Sequence, residues 1–414
     1  MKKLFFGLSL LLLAGILAWG WIWFLPEKKK ETASPPREET EALSEAAAKT
    51  EAETTASPSR PPLIRVDQIQ TRRISPDCIR ISWSCKEDAQ ADEYIVKKRL
   101  MENGRPKGRW TELAAVKGGA GEYAIEDLLT SAAPVQYEYR VDVRAADGEV
   151  WEGAEGSAVL GSNVMICIDP GHYAGKNASP DGNSFPYAEG DFTLEVALRL
   201  KELLKEKYGI DSSLTRESGS IILDGYQDQE LDQGHISLRG RYAAREQSSL
   251  FVSIHTNANR DNANGCPTWE QPIAANKSLV FANIPAQTSK TALKAANAIG
   301  IQLSRTNYEL GLSAQKEFRA VSDAGELREW TEEYNDSLNQ MGTVVYRTDE
   351  GQDYYGVLRG AASAGIPGII IEHGLHTIPE VREAAQNGLS ECWARADAWG
   401  IACGFGFTEP IKAE

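Results

Sequence analysis

This sequence has no glycine-rich loop of either common phosphate-cradling type, and no stripe of clustered lysine and arginine. The first absence argues against a nucleotide partner, because a phosphate cradle needs backbone N–H groups exposed by glycines at fixed offsets. The second, with a net charge of −15 and a pI near 5.0, argues against nucleic acid, whose binding footprint is clustered positive charge. No segment repeats at a fixed period, so a repeat architecture is not expected. Six cysteines are present, but their placement does not suit a disulfide framework. Cys78 and Cys85 fall on one predicted strand, roughly 23 Å apart, and Cys392 and Cys403 on one predicted helix, roughly 16 Å apart. Cys167 sits inside an apolar strand and reads as core. Histidine is scarce, five in 414 residues, which gives weight to where each one falls. What remains, 42% hydrophobic and 25% charged residues, is the composition of a folded chain long enough for two domains or more.

Four zones follow from composition shifts. Within residues 1–25, the run from Leu4 to Leu25 is uncharged and, as a helix, about 33 Å long. Lys2 and Lys3 precede it and Lys28, Lys29 and Lys30 follow it. It reads as a membrane anchor; the rival is a cleaved signal peptide ending near Ala18 and Gly20, but Trp21-Ile22-Trp23-Phe24-Leu25 continues the apolar run past that site. Both readings export the rest of the chain. Residues 26–62 are rich in Glu, Ala, Thr, Ser and Pro, with too little apolar surface to offset ordering entropy, and read as a flexible stalk. Residues 63–161 alternate apolar and polar, as in Ile79-Arg80-Ile81-Ser82-Trp83 and Tyr137-Glu138-Tyr139-Arg140-Val141-Asp142-Val143, with turn signals at Asn103-Gly104 and Asp147-Gly148. That pattern predicts an all-β sandwich. With Trp83 on an early strand and the Tyr-x-Tyr-Arg-Val run on a late one, it resembles a fibronectin type III domain, which implies a spacer or weak binding role.

In residues 163–408 the period changes to short apolar strands alternating with helices, the pattern of an α/β domain with a mostly parallel or mixed sheet. Strands are expected at Val164 to Ile168, Ser212 to Thr215, Leu250 to Ile254 and Gly368 to Ile371. Helices are expected at Phe192 to Tyr208, capped by Asp191 and ended by Gly209, at Ser289 to Arg305, and at Val381 to Ala402.

Sites of open α/β sheets collect at the carboxyl ends of the strands. Here those ends read Asp169-Pro170-Gly171-His172, Ser253-Ile254-His255-Thr256-Asn257 and Ile371-Glu372-His373-Gly374, and Glu189 lies just before a helix whose start can face the same crevice. Taken singly, each histidine reads as structural or as a surface residue. Together with the glutamates they suggest catalytic zinc, which takes two imidazoles and a carboxylate around an open position and needs a further carboxylate as proton acceptor.

Asp169-Pro170-Gly171-His172, Glu189 before a Leu-rich helix, Leu214-Thr215-Arg216, Leu238-x-x-Arg241, Ser253-Ile254-His255-x-Asn257-Ala258 and Ile371-Glu372-x-Gly374 occur in order across residues 163 to 406. In this the segment resembles the type 3 N-acetylmuramoyl-L-alanine amidases. The resemblance implies a Zn2+ enzyme that cuts the amide between N-acetylmuramic acid and L-alanine in peptidoglycan, with His172, Glu189 and His255 as metal ligands and Glu372 as catalytic acid/base. Two other readings stay open: a catalytically dead wall-binding protein, and another zinc hydrolase such as a carboxypeptidase or deacetylase. Several segments depart from the family pattern. Tyr173 to Ala188 suggests a longer loop; His373 and His376 follow Glu372, the first read as structural on the opposite sheet face and the second, like His235, as a solvated loop residue. The stretch from about Leu312 to Gln352 lengthens the domain, with an amphipathic helix expected at Glu326 to Leu338 as a gate over the cleft.

Overall fold

A computed structural model describes residues 66–85, 91–119, 121–153, 158–259, 266–331 and 341–410. The apolar run at 4–25 and the stalk at 26–62 lie outside the described residues, among which no helix is long and apolar enough to cross a membrane. The compact unit that contains them runs from Pro62 to Glu414.

Its first part is all-β: β1 (Asp67–Ser75), β2 (Cys78–Cys85), β3 (Ala91–Glu102), β4 (Arg105–Lys117), β5 (Gly121–Leu128), β6 (Gln136–Ala145), β7 (Val150–Trp151) and β8 (Val159–Ser162). They form two antiparallel sheets, β1-β2-β5 and β4-β3-β6-β7, with β8 also paired to β6. The alternation legible in the sequence is the reason: Ile79, Ile81 and Trp83 of β2 point inward to meet Tyr94 and Val96 of β3 and Tyr139, Val141 and Val143 of β6 in one core. Asn103 and Gly104 close the β3–β4 hairpin with φ of 51° and 75°, the paired left-handed residues that match a hairpin's twist.

The second part is built on an eight-stranded mixed sheet. Its elements are β9 (Met165–Pro170), α1 (Glu189–Tyr208), β10 (Asp211–Leu214), a hairpin of β11 (Ile222–Leu223) and β12 (Tyr226–Gln227), α2 (Asp228–Gly234), α3 (Ser237–Arg245), β13 (Leu250–Asn257), β14 (Leu279–Ala282), α4 (Ile284–Thr288), α5 (Lys290–Glu309), β15 (Phe318–Arg319), β16 (Arg328–Glu329), β17 (Gly342–Tyr346), a hairpin of β18 (Thr348–Asp349) and β19 (Gln352–Asp353), α6 (Gly356–Ala362), β20 (Gly368–Leu375), α7 (Pro379–Ala385) and α8 (Leu389–Phe405). Strand order is β10-β9-β13-β20-β14-β17-β15, with β16 on β17. All pairs are parallel except β14 with β20, where the direction reverses. Phe192, Val196, Leu200, Leu203 and Leu204 of α1 join residues of α5 and α8 in the core on one face. Val357, Leu358 and Ala361 of α6 and Ala243 of α3 share a second cluster with Cys167, Phe251 and Phe281 of the sheet. Each large apolar side chain so buried contributes roughly 1.5–3 kcal/mol.

The two parts meet in a polar seam. Buried Arg73 donates from Nε to the Asn163 carbonyl at 2.8 Å and from Nη2 to the Gln247 carbonyl at 2.9 Å. The Asn163 side chain donates in turn to the carbonyls of Pro76 and Ala133, at 2.8 and 2.9 Å.

Several expectations are corrected. Helix α1 begins at Glu189, capped by the backbone of Ala188 rather than by the Asp191 side chain, which sits in the first turn. The last expected helix is two, because Gly388 at φ 89° breaks it after α7. A helix does not start at Glu326: β16 takes Arg328 and Glu329 into the sheet edge, and residues 332–338 of the expected helix lie outside the described residues. All six cysteines are free.

Candidate metal centre

His172, Glu189 and His255 come together at the carboxyl end of the β9, β13 and β20 strands. One ligand-capable atom from each lies within 4.8 Å of the others. His255 is on the last turn of pleat in β13, in register with Glu372 on β20, so their side chains leave the same sheet face. The sequence placed both just beyond strand ends; both in fact lie within strands that run on to Asn257 and Leu375.

The loop carrying His172 is held in an unusual conformation. His172 has a φ of 61°, in the left-handed region that a non-glycine residue adopts only when its surroundings force it. Gly171 passes so close to β13 that a Cβ there would stand 2.5 Å from His255 Cε1 and 2.6 Å from the Ile254 carbonyl. Its N–H donates to that carbonyl at 2.9 Å. Buried Asp169 anchors the loop, accepting from Thr215 Oγ1 at 2.5 Å, Ser253 Oγ at 2.7 Å and Arg239 Nη1 at 3.1 Å. Arg239 also donates to the carbonyls of Pro170 and His172, and Arg216 to those of Pro170, Gly171 and Gly190.

Glu189 is the pivot. Its Oε1 accepts from the Thr256 N–H and faces His255 Nδ1, both at 3.0 Å; Oε2 accepts from Asn177 Nδ2 at 2.7 Å and faces His172 Nε2 at 3.4 Å. The two imidazoles stand at 87° with centroids 4.9 Å apart. On the far side of His172, Nδ1 faces Asp232 Oδ2 at 3.6 Å, and Asp232 is paired through Oδ1 with Arg239 Nη2 at 2.8 Å.

The electrostatics favour a cation. Burial opposes charge on His172, yet Glu189 and Asp232 together outweigh it and lift its pKa to about 9. Burial works against the Glu189 carboxylate too, and the imidazoles overcome it, holding its pKa well below the usual range. Glu372 goes the other way: burial first, then the neighbouring Glu189 charge, push it up to about 8. Among the described residues its buried Oε2 has no hydrogen-bond partner, which suits a carboxylate that exchanges a proton with solvent or substrate. A tetrahedral zinc with ligand bonds near 2.1 Å sets its donor atoms roughly 3.4 Å apart. The donor types suit that demand, and the two Glu189 oxygens stand 3.0 and 3.4 Å from the imidazole nitrogens they face.

The centre lies in a cleft of about 750 Å³ whose walls include Asn257, Thr268, Trp330, Arg347, Tyr355 and His376. The family model of N-acetylmuramoyl-L-alanine amidases matches residues 166–401, more than half of the chain.

The chain belongs to the N-acetylmuramoyl-L-alanine amidase family.

Solved structures with similar chains include Cwp6 from Clostridium difficile, 21% identical over 60% of this chain and 29% of that one, with a TM-score of 0.36. An N-acetylmuramoyl-L-alanine amidase from the same organism is 18% identical over 57% and 94% of the two chains, TM-score 0.37. An N-acetylmuramyl-L-alanine amidase from Mycobacterium smegmatis is 16% identical over 59% and 97%, TM-score 0.35. This chain thus spans under a third of Cwp6. No curated protein matches the sequence.

Within the family motifs, Thr215 and Arg216 brace the Asp169–His172 loop, whereas Arg241 is exposed and it is Arg239, two residues earlier, that is buried beneath the centre. His373 is structural as expected: buried, its Nε2 is 2.8 Å from Asp397 Oδ2 and its Nδ1 3.0 Å from the His255 carbonyl, which ties β20 to β13. His376 is not a solvated loop residue. It is 4% exposed, stacks on Tyr187 and faces Thr256 Oγ1 through Nδ1 at 3.0 Å, and burial holds its pKa down, which favours the neutral ring. His235 stacks on Tyr226 with centroids 3.5 Å apart. Asn177 and Asp232 were missed because the loop after His172 and α2 carry no periodic pattern, and Arg239 because a basic residue in the polar α3 looks like surface. A short acidic helix next to a ligand loop was the one available signal for Asp232.

Proposed function

We propose that the chain is a zinc-dependent peptidoglycan amidase, hydrolysing the amide between N-acetylmuramic acid and L-alanine, with His172, Glu189 and His255 as ligands and Glu372 as general base. The observation that carries this reading is the cluster of three donor atoms within 4.8 Å beside the unpartnered carboxylate oxygen of Glu372. Zinc, when bound, supplies a Lewis acid for the scissile carbonyl and lowers the pKa of a water towards about 7. Glu372 accepts the proton of the attacking water and returns it to the leaving alanine nitrogen. A carboxyl whose pKa lies close to neutrality suits transfer in both directions. Asn177 and the Thr256 N–H hold the Glu189 carboxylate in place, and the rigid Asp169–His172 loop presents His172 without reorganisation.

The wider assembly belongs to the same proposal: residues 1–25 as the membrane anchor, 26–62 as the stalk, 63–161 as a fibronectin type III-like spacer and 163–408 as the catalytic domain. The enzyme would then work on the outer side of the cell membrane, in wall remodelling or lysis. Digesting purified wall and analysing the products tests the chemistry. New L-alanine amino termini without new reducing ends are expected; release of D-alanine or acetate would assign the zinc centre to another hydrolase.

A further inference from the structure

The cleft lined by Glu189 and Glu372 is also lined by Trp330, Arg347, Tyr354 and Tyr355, contributed by the lengthened stretch near residues 312–352 and the turn after it. Arg347 is clamped there: its guanidinium carbon lies 4.6 Å from the Trp330 ring centroid and 3.6 Å from that of Tyr354. Tyr355, which is hydrogen-bonded to Arg347, packs edge-on to Tyr354 at 5.2 Å and to Phe281 at 4.9 Å, so the clamp rests on the sheet. Arg347 is half-buried, and the buried arginines near the site have carboxylate or carbonyl partners, Arg239 with Asp169 and Asp232, Arg382 with Glu270, and Arg216 with Gly171 and Gly190. Among the described residues no carboxylate lies within ion-pair distance of Arg347, in a chain with 59 acidic residues. Two aromatic faces fix the plane of the guanidinium and leave its edge for a planar anion.

We propose that Arg347, held between Trp330 and Tyr354, is the subsite for a free carboxylate of the stem peptide, and that it makes the enzyme selective for acidic stem peptides. This rests on the amidase reading: with the muramyl–alanine amide at the metal centre, the peptide beyond L-alanine runs along the same cleft. Its carboxylates are the anions available to a guanidinium edge, and a bidentate pair gives both strength and orientation. Two sources share this chemistry, the α-carboxylate of the second residue and the side-chain carboxylate of an acidic third residue.

Calorimetric titration of the zinc-loaded full chain carrying Glu372→Gln, which prevents turnover, separates them. The ligands are a C-terminally amidated muramyl tripeptide that keeps both of these carboxylates, the same with the second residue's α-carboxyl amidated, and the same with a third residue lacking the side-chain carboxylate. Removing the recognised carboxylate is expected to weaken binding roughly 10–100-fold, and adding Arg347→Gln to weaken the fully acidic ligand as much while leaving the form that lacks it unchanged. Arg347→Lys, which keeps charge without the planar fork, should fall between. Equal affinity of all three ligands for the chain with Arg347 intact overturns the subsite without any Arg347 variant, as does equal weakening of all three by Arg347→Gln, or no measurable binding of the fully acidic form. Turnover of the fully acidic ligand by the wild-type chain is read separately: no release of an L-alanine amine sinks the amidase reading, whereas release with equal affinities sinks only the subsite.

Discussion

Asp169 offers a sharp test of how the fold holds the site, because its loss can be worked through atom by atom. Replacing Asp169 by Ala removes an acceptor buried with 0% exposure, strands Thr215 Oγ1 and Ser253 Oγ, and takes from Arg239 Nη1 its carboxylate partner. Arg239 is 1% exposed and keeps Asp232 as its remaining carboxylate, along with the carbonyls of Pro170 and His172. Breaking a buried ion pair on one side costs roughly 3–5 kcal/mol, and Asp232 holds the value to the lower half of that range. The two hydroxyls add about 1 kcal/mol, since each can turn to a weaker acceptor. The expected loss is therefore about 4 kcal/mol, a large share of the roughly 5–15 kcal/mol that a domain has. Asp169→Asn keeps the shape and an acceptor but not the charge, and should lose about 2 kcal/mol. Urea unfolding of the full chain, followed by circular dichroism with an unchanged denaturant slope, measures both. A loss below 1 kcal/mol for Asp169→Ala would refute the reasoning, and equal losses for Ala and Asn would show that charge on Asp169 plays no part.

Two further predictions concern charge. Burial pushes the Asp353 carboxyl up to about 6 while the Ile284 N–H still donates to its Oδ1 at 3.1 Å. Because the folded state holds this proton more tightly than the unfolded chain does, the stability it confers is present below about pH 4 and lost as pH rises through about 6. Asp353→Asn should leave stability unchanged near pH 4 and raise it by about 1 kcal/mol above pH 7, after discounting for solvent screening; melting curves with no difference at either pH would contradict this. Asp232→Asn removes the carboxylate that faces His172 Nδ1, and zinc affinity measured by chelator competition should fall roughly 10–100-fold. An unchanged affinity would mean that the His172 ring is oriented by the loop alone.

How far the sequence could be read followed from which signals are local. Alternation in Ile79–Trp83 and Tyr137–Val143 gave the β strands because one face of each is buried, and the 3.6-residue period gave α1 because one stripe meets the sheet. The helix breaks were less legible: Gly388 stands in a stretch whose composition suits a helix throughout, and only its backbone angle ends α7. Glu326 to Leu338 has the spacing of an amphipathic helix, yet pairing of Arg328 with Val345 and Glu329 with Tyr346 takes its start into the sheet, a tertiary preference that no local window contains. The four candidate site residues were visible because strand ends collect sites and histidines are few. His376 was misread because loop position says nothing about burial, and here Tyr187 and Thr256 fold over it. Arg239 escaped because a basic residue in a polar helix looks like surface until Asp169 and Asp232 are seen on either side of it.

In the proposed mechanism His172, Glu189 and His255 hold zinc while Glu372 moves the proton. Zinc content and muramyl-peptide cleavage, measured side by side for the wild-type chain and Glu372→Gln, test it most directly. The account predicts about one zinc per chain in both proteins and a loss of cleavage of at least 100-fold in the variant, the lower range for removing a general base. Cleavage by Glu372→Gln at the wild-type rate, or wild-type chain that cleaves while binding no metal at His172, Glu189 and His255, would contradict it.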